Sequence, residues 1–160
     1  MSAAAGDIRS AAIEVLQTAA PREKAAAARR VAARWRAGEL AVPGERVGAA
    51  DAPDPARPER PELAPPGKVP RRRLHTLAGR FALMHAVAHI EFNAIDLAFD
   101  MVARFCASPE LEEPQRGDFI GDWIGVGDDE ARHFGMIADR LEEMGGAYGD
   151  LPAHNGLWEA

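Results

Sequence analysis

Apolar residues recur at three- and four-residue spacing through the N-terminal region of this chain. Between residues 7 and 38, Ile8, Ala11, Ala12, Val15 and Leu16 share one helical face. Pro21 suits the first turn of a second helix, PREKAAAARRVAARWRAG, which Gly38 ends as a C-cap. The pattern then stops. Eight prolines (Pro43, Pro53, Pro55, Pro58, Pro61, Pro65, Pro66 and Pro70) fall between residues 43 and 70, and each lacks an N–H and restricts the residue before it. An extended connector that lies on the surface or wraps the rest is expected there, closed by the basic triplet Arg71–Arg72–Arg73.

Helical periodicity returns from about His75 to Ala107 and would span roughly 45–50 Å at ~1.5 Å per residue. Ser108–Pro109 stops it. Pro114 opens a further helix that runs to about Met144, before Gly145–Gly146. Two long helices joined by a short loop pack antiparallel. The tail, GAYGDLPAHNGLWEA, is rich in turn residues, and Leu157–Trp158–Glu159 reads as the opening of one more helix. The expected architecture is all-α, in three parts: an N-terminal helical region (1–42), a Pro-rich connector (43–73) and a half-bundle (74–160).

Candidate chemistry sits on the two long helices. Turning about 100° per residue, Phe119, Trp123, Val126, His133, Phe134, Ile137 and Leu141 fall on the side of Glu130, and only His133 among them is polar. On the preceding helix, Met84, Val87, Ala88, Ala94, Ile95, Ala98 and Val102 share a face with Glu91. An ionised carboxylate on an apolar face needs a cation, a proton or a dense set of hydrogen bonds. Carboxylate bundles that bind two metals use a Glu from each of two helices and a Glu-x-x-His from each of the other two. Glu91 and Glu130-Ala131-Arg132-His133 supply half of that set. The alternative is a proton-sharing or histidine-paired polar cluster without metal.

A second constellation lies on another side of the Glu91 helix, where His85, His89 and Asp96 align. His-x-x-x-His can bind zinc, but no fourth ligand follows, and packing or hydrogen bonding to neighbouring elements is the better reading. His154, in the tail, reads as structural or exposed. Gly121, Gly125, Gly127 and Gly135 are unusual inside a helix and imply close helix approach or a local bulge beside Glu130. Asp128 or Asp129 is expected to hydrogen-bond across to a ligand on another helix.

Composition narrows the function classes. A net charge of -6 argues against a nucleic-acid coat, and the α2-region arginines and Arg71–Arg72–Arg73 read as solvated flanks. Cys106 is the single cysteine, so no internal disulfide forms, and a small buried role near a helix end is expected. No apolar run approaches the ~20 residues that span a bilayer, and the N-terminus lacks a signal-peptide stretch. A cytoplasmic protein is expected.

The segments HAVAHIEFNAIDLAFD, DFIGDWIGVGDDEARHF and YGDLPAHNGLWE resemble the bacterial ferritin-like proteins of domain of unknown function 455, over about Pro70 to Ala160. The resemblance implies a ferritin-like four-helix bundle and, on Glu91, Glu130 and His133, the first half of a di-iron or related Fe/Mn site. It extends to oxygen-activating hydroxylases and iron-storage proteins of the broader superfamily. Relatives of this kind continue with two more helices carrying a second Glu and a second Glu-x-x-His. A truncated chain that binds no metal is the simpler expectation. A homodimer that completes the bundle is the other.

Overall fold

The computed structural model describes residues 6–44, 52–65, 73–154 and 156. Leu157–Trp158–Glu159, Arg71 and Arg72 lie outside them. Four helices, α1 (Ile8–Leu16), α2 (Pro21–Arg36), α3 (Leu77–Phe105) and α4 (Gln115–Glu143), make an all-α bundle. Two short strands, β1 (Leu63–Ala64) and β2 (Ala153–His154), pair in parallel.

Local chemistry sets the helix ends. Asp7 caps α1 by accepting a hydrogen bond from Ser10 N at 2.8 Å. Pro21 occupies the first turn of α2, and Gly38, at φ 69°, turns the chain out of that helix in the left-handed conformation. Thr76 caps α3 through Gly79 N. α3 and α4 are each 29 residues long, about 43 Å at ~1.5 Å per residue.

α3 and α4 form the main helix pair. α1 covers α3, and α2 lies along α4. The core joins Phe92, Ile95, Phe99 and Val102 of α3 to Ile120, Ile124, Phe134 and Leu141 of α4, and to Ile8, Val15 and Leu16 of α1. α2 contributes mostly small residues, Ala25, Ala28 and Ala32, which let its backbone come close to α4. Arg22 then bridges to Asp139 and Glu142, and Arg29 and Arg36 to Asp128, so three arginines of α2 are taken up by acids of α4. The expected cross-helix bond from Asp128 or Asp129 to a ligand is not formed. Asp128 instead binds α2, and Asp129 binds Arg132 on its own helix.

The tightest approach is at Gly127. A Cβ there would lie 2.6 Å from Phe99 Cε2, so the Phe99 ring occupies the space a side chain would need. At Gly125 and Gly135 an added Cβ meets nothing within 4 Å, and at Gly121 the nearest atom is Trp35 Nε1 at 3.8 Å. One of the four glycines therefore serves helix contact in this way.

Residues 52–65 cross the bundle in extended form. Ala56 N donates to Leu16 O at 2.8 Å, Gln17 Nε2 to Asp54 O at 2.8 Å, and Ala153 N to Glu62 O at 2.9 Å. The β1–β2 pair fastens this strap to the segment after α4. A two-residue edge ladder escapes the proline constraint because Leu63 and Ala64 both keep their N–H groups.

Candidate metal centre

Glu91 stands near the middle of α3, and Glu130 and His133 stand one turn apart on α4. One ligand atom from each lies within 4.8 Å of the other two. His133 Nδ1 is 3.1 Å from Glu130 Oε2 and 3.8 Å from Glu91 Oε2. Its Nε2 accepts from Arg132 Nη2 at 3.4 Å, so in this arrangement the ring proton sits on Nδ1 and points to the carboxylates. Asp129 in turn holds Arg132 at 3.3 Å.

The wheel reading placed these residues in the centre of buried stripes. The structure turns both helices relative to that reading. The buried face of α4 runs through Ile120, Ile124, Gly127, Ala131, Phe134, Ala138 and Leu141, because α2 and α3 together cover that side. Glu130 lies at its margin, with 24% of its side chain exposed, against 18% for Glu91 and 42% for His133. Val126, on the same stripe, is exposed. The cluster therefore sits at the mouth of the α3–α4 groove, beside apolar surface that no described element covers.

Proximity of the two carboxyls shapes their ionisation. Partial burial, a hydrogen bond from Glu130 and the nearby negative charge push Glu91 up to about 7. The same hydrogen bond, with help from His133, holds Glu130 below the usual carboxylate range. The pair shares one proton at neutral pH, with Glu91 as the protonated member. Two carboxylates and an imidazole converging with protons between them are a donor set that Fe²⁺ or Mn²⁺ fits, since a divalent cation can take the place of those protons.

The second constellation does not converge. His85 and His89 are buried, and hydrogen bonds take up their nitrogens. His85 Nε2 accepts from Gly149 N at 2.9 Å. His89 Nε2 donates to His154 O and its Nδ1 accepts from Tyr148 Oη, both at 2.9 Å. Burial lowers His89 to about 4, and the Arg57 and neighbouring histidine charges add to that. These histidines pin the tail segment to α3, and His154 contributes its carbonyl.

Asp96 belongs to another partner. Its carboxylate meets Lys24 of α2, and neither side chain has any exposure. Lys24 Nζ also donates to Ala56 O at 3.1 Å and lies 5.0 Å from the Phe92 ring centroid. Asp96 Oδ2 has no hydrogen-bond partner. Burial raises Asp96 to about 6 against the opposing pull of Lys24, and it lowers Lys24. The sequence reading missed this pair. Its signal was the position of Lys24 one turn before Ala28 and two before Val31, on the buried face of α2. Cys106 is fully buried at the end of α3, and burial pushes its thiol up to about 11.

The family described as "Protein of unknown function (DUF455)" matches residues 17–160. The chain belongs to this DUF455 family. An uncharacterised Haemophilus influenzae protein is 43% identical over 104 residues, covering 65% of this chain and 36% of that relative. The chain thus spans about a third of the length of the curated relative. No solved structure matches it. Among the described residues, no helix is long and apolar enough to cross a membrane, and the Glu91–Glu130–His133 cluster lies inside the stretch that the DUF455 family matches.

Proposed function

We propose that this DUF455 chain is a ferritin-like metal-binding protein, with Glu91, Glu130 and His133 as ligands for iron or manganese. The observation that carries the reading is the convergence of those three ligand atoms within 4.8 Å across two antiparallel helices. Glu91 would come from one helix, and the Glu-x-x-His pair from the other, as in carboxylate bundles. Once bound, the metal would supply redox chemistry toward dioxygen, which a proton-sharing cluster alone does not.

The chain's own residues prepare the site in three ways. Glu130 is held ionised by its hydrogen bonds and gives the cation its first fixed charge. Glu91 and His133 Nδ1 surrender their protons as the cation enters, so binding releases acid. Arg132 meets His133 Nε2 and sets the ring's orientation, as groups behind metal ligands commonly do. The margin of the groove leaves the site accessible to a small oxidant or a further ligand.

Elemental analysis of protein purified from iron- and manganese-supplemented medium tests the reading. Near one equivalent per chain is expected for the native sequence, and none for Glu91→Ala or His133→Ala. Absence of both metals from the native chain would refute it. Oxygen consumption by the loaded protein then separates an oxidoreductase or hydroxylase, which continues to consume oxygen with substrate present, from a protein that only stores metal.

A further inference from the structure

The outer side of α3 carries a second apolar pattern, distinct from its buried face. Leu83, Val87, Ile90, Ala94, Leu97 and Met101 alternate at steps of four and three, the heptad spacing of a helix–helix seam. Leu83, Ile90 and Leu97 are 37%, 44% and 37% exposed, and the other three are half-buried. Arg80 and Arg104 occupy the next heptad positions at either end, so no charge interrupts the seam between them. Ordinary surface helices place polar residues on this side.

The strip is large enough for a stable interface. From Leu83 to Met101 it runs about 27 Å at ~1.5 Å per residue. With the neighbouring margin of α4, where Val126 is also exposed, it spans two helix widths of ~10 Å each. That area is on the order of the ~800 Å² per partner that standard complexes bury. The seam is also self-complementary. Antiparallel pairing about its midpoint sets Leu83 against Met101, Val87 against Leu97 and Ile90 against Ala94, which matches longer with shorter side chains at the centre. The midpoint falls beside Glu91.

We propose that a second copy of this chain docks on the α3 seam by a two-fold axis near Glu91, and that each copy supplies Glu91, Glu130 and His133 to one shared centre. The inference rests on the metal reading for the role of the pairing, while the seam itself rests on spacing and exposure. A two-fold contact repeats each residue, so half a ligand set becomes a whole one: two Glu residues and two Glu-x-x-His pairs.

Sedimentation velocity on the 160-residue chain, with and without Mn²⁺, tests the proposal. A closed species of twice the chain mass is expected, shifting to a single-chain species in Leu83→Asp/Leu97→Asp with helical circular dichroism unchanged. Both replaced residues are exposed, so the fold survives the change. A native chain that stays monomeric at about 100 µM overturns the proposal, as does a double variant that still dimerises or a native chain that grows into open-ended assemblies. The two readings fail separately. A monomer that takes up manganese refutes only the pairing, and a dimer that takes up none refutes only the metal site.

Discussion

Glu91 and Glu130 reach toward each other from α3 and α4, and one proton between them leaves Glu130 ionised and Glu91 neutral. Two carboxyls brought together in this way share a proton or hold a cation. Metal uptake should therefore depend on pH around the raised value of Glu91. Above about 7 the carboxyl is already ionised. As pH falls below about 7 the cation must displace its proton, so affinity drops by up to about tenfold per unit. Manganese titrations at pH 6 and pH 8 check this; equal affinities at both would contradict it.

Lys24 and Asp96 form a fully buried ion pair. Removing one member of such a pair leaves an uncompensated charge and costs about 3–5 kcal/mol. Lys24→Met should fall in that range by denaturant unfolding. The double variant Lys24→Met/Asp96→Leu should recover most of the loss. Additive losses in the double variant would contradict the pairing.

Gly127 against Phe99 is the closest helix contact at the site's base. Gly127→Ala should destabilise the protein by about 1–3 kcal/mol through overpacking, despite the better helix propensity of alanine. Gly135→Ala, where space is open, should be neutral or mildly stabilising. The denaturation midpoints of the two variants give the comparison.

His89 is neutral in the fold, with a value near 4 against its ordinary 6.5. The unfolded chain binds a proton there between those values while the folded chain does not. Its contribution to stability is thus present above 6.5 and lost as pH falls toward 4, amounting to a few kcal/mol. Asp96, raised to about 6, acts in the opposite sense, since the folded chain holds its proton longer. His89→Gln isolates the histidine. The difference in unfolding free energy between native and variant protein should shrink as pH falls from 6.5 to 4; a constant difference would contradict this.

Much of this architecture was legible in the sequence because it depends on short-range rules. Pro21, Gly38, Ser108–Pro109 and Gly145 mark helix ends through backbone constraints that neighbours cannot override. The i, i+3 spacing of Glu130 and His133 fixes their shared side of α4. What the sequence could not reveal was which part of a wide apolar stripe is covered. Glu130 and Phe134 fall on the same half of α4's wheel, yet only Phe134 is buried, because α2 packs on that side and not the other. Lys24 was read within a solvated arginine-rich helix because its partner, Asp96, lies 72 residues away. Tyr148 likewise takes its role from His89, across the whole of α4.

Manganese bound to protein loses the sharp six-line electron paramagnetic resonance signal of the free aqueous ion, so titration of the chain with Mn²⁺ counts ligand sites directly. The native protein should silence about one equivalent per chain at pH 8, and Glu91→Ala and His133→Ala should leave the free-ion signal intact from the first addition. A native protein that leaves that signal intact, or variants that silence it equally well, would contradict a metal centre at Glu91, Glu130 and His133.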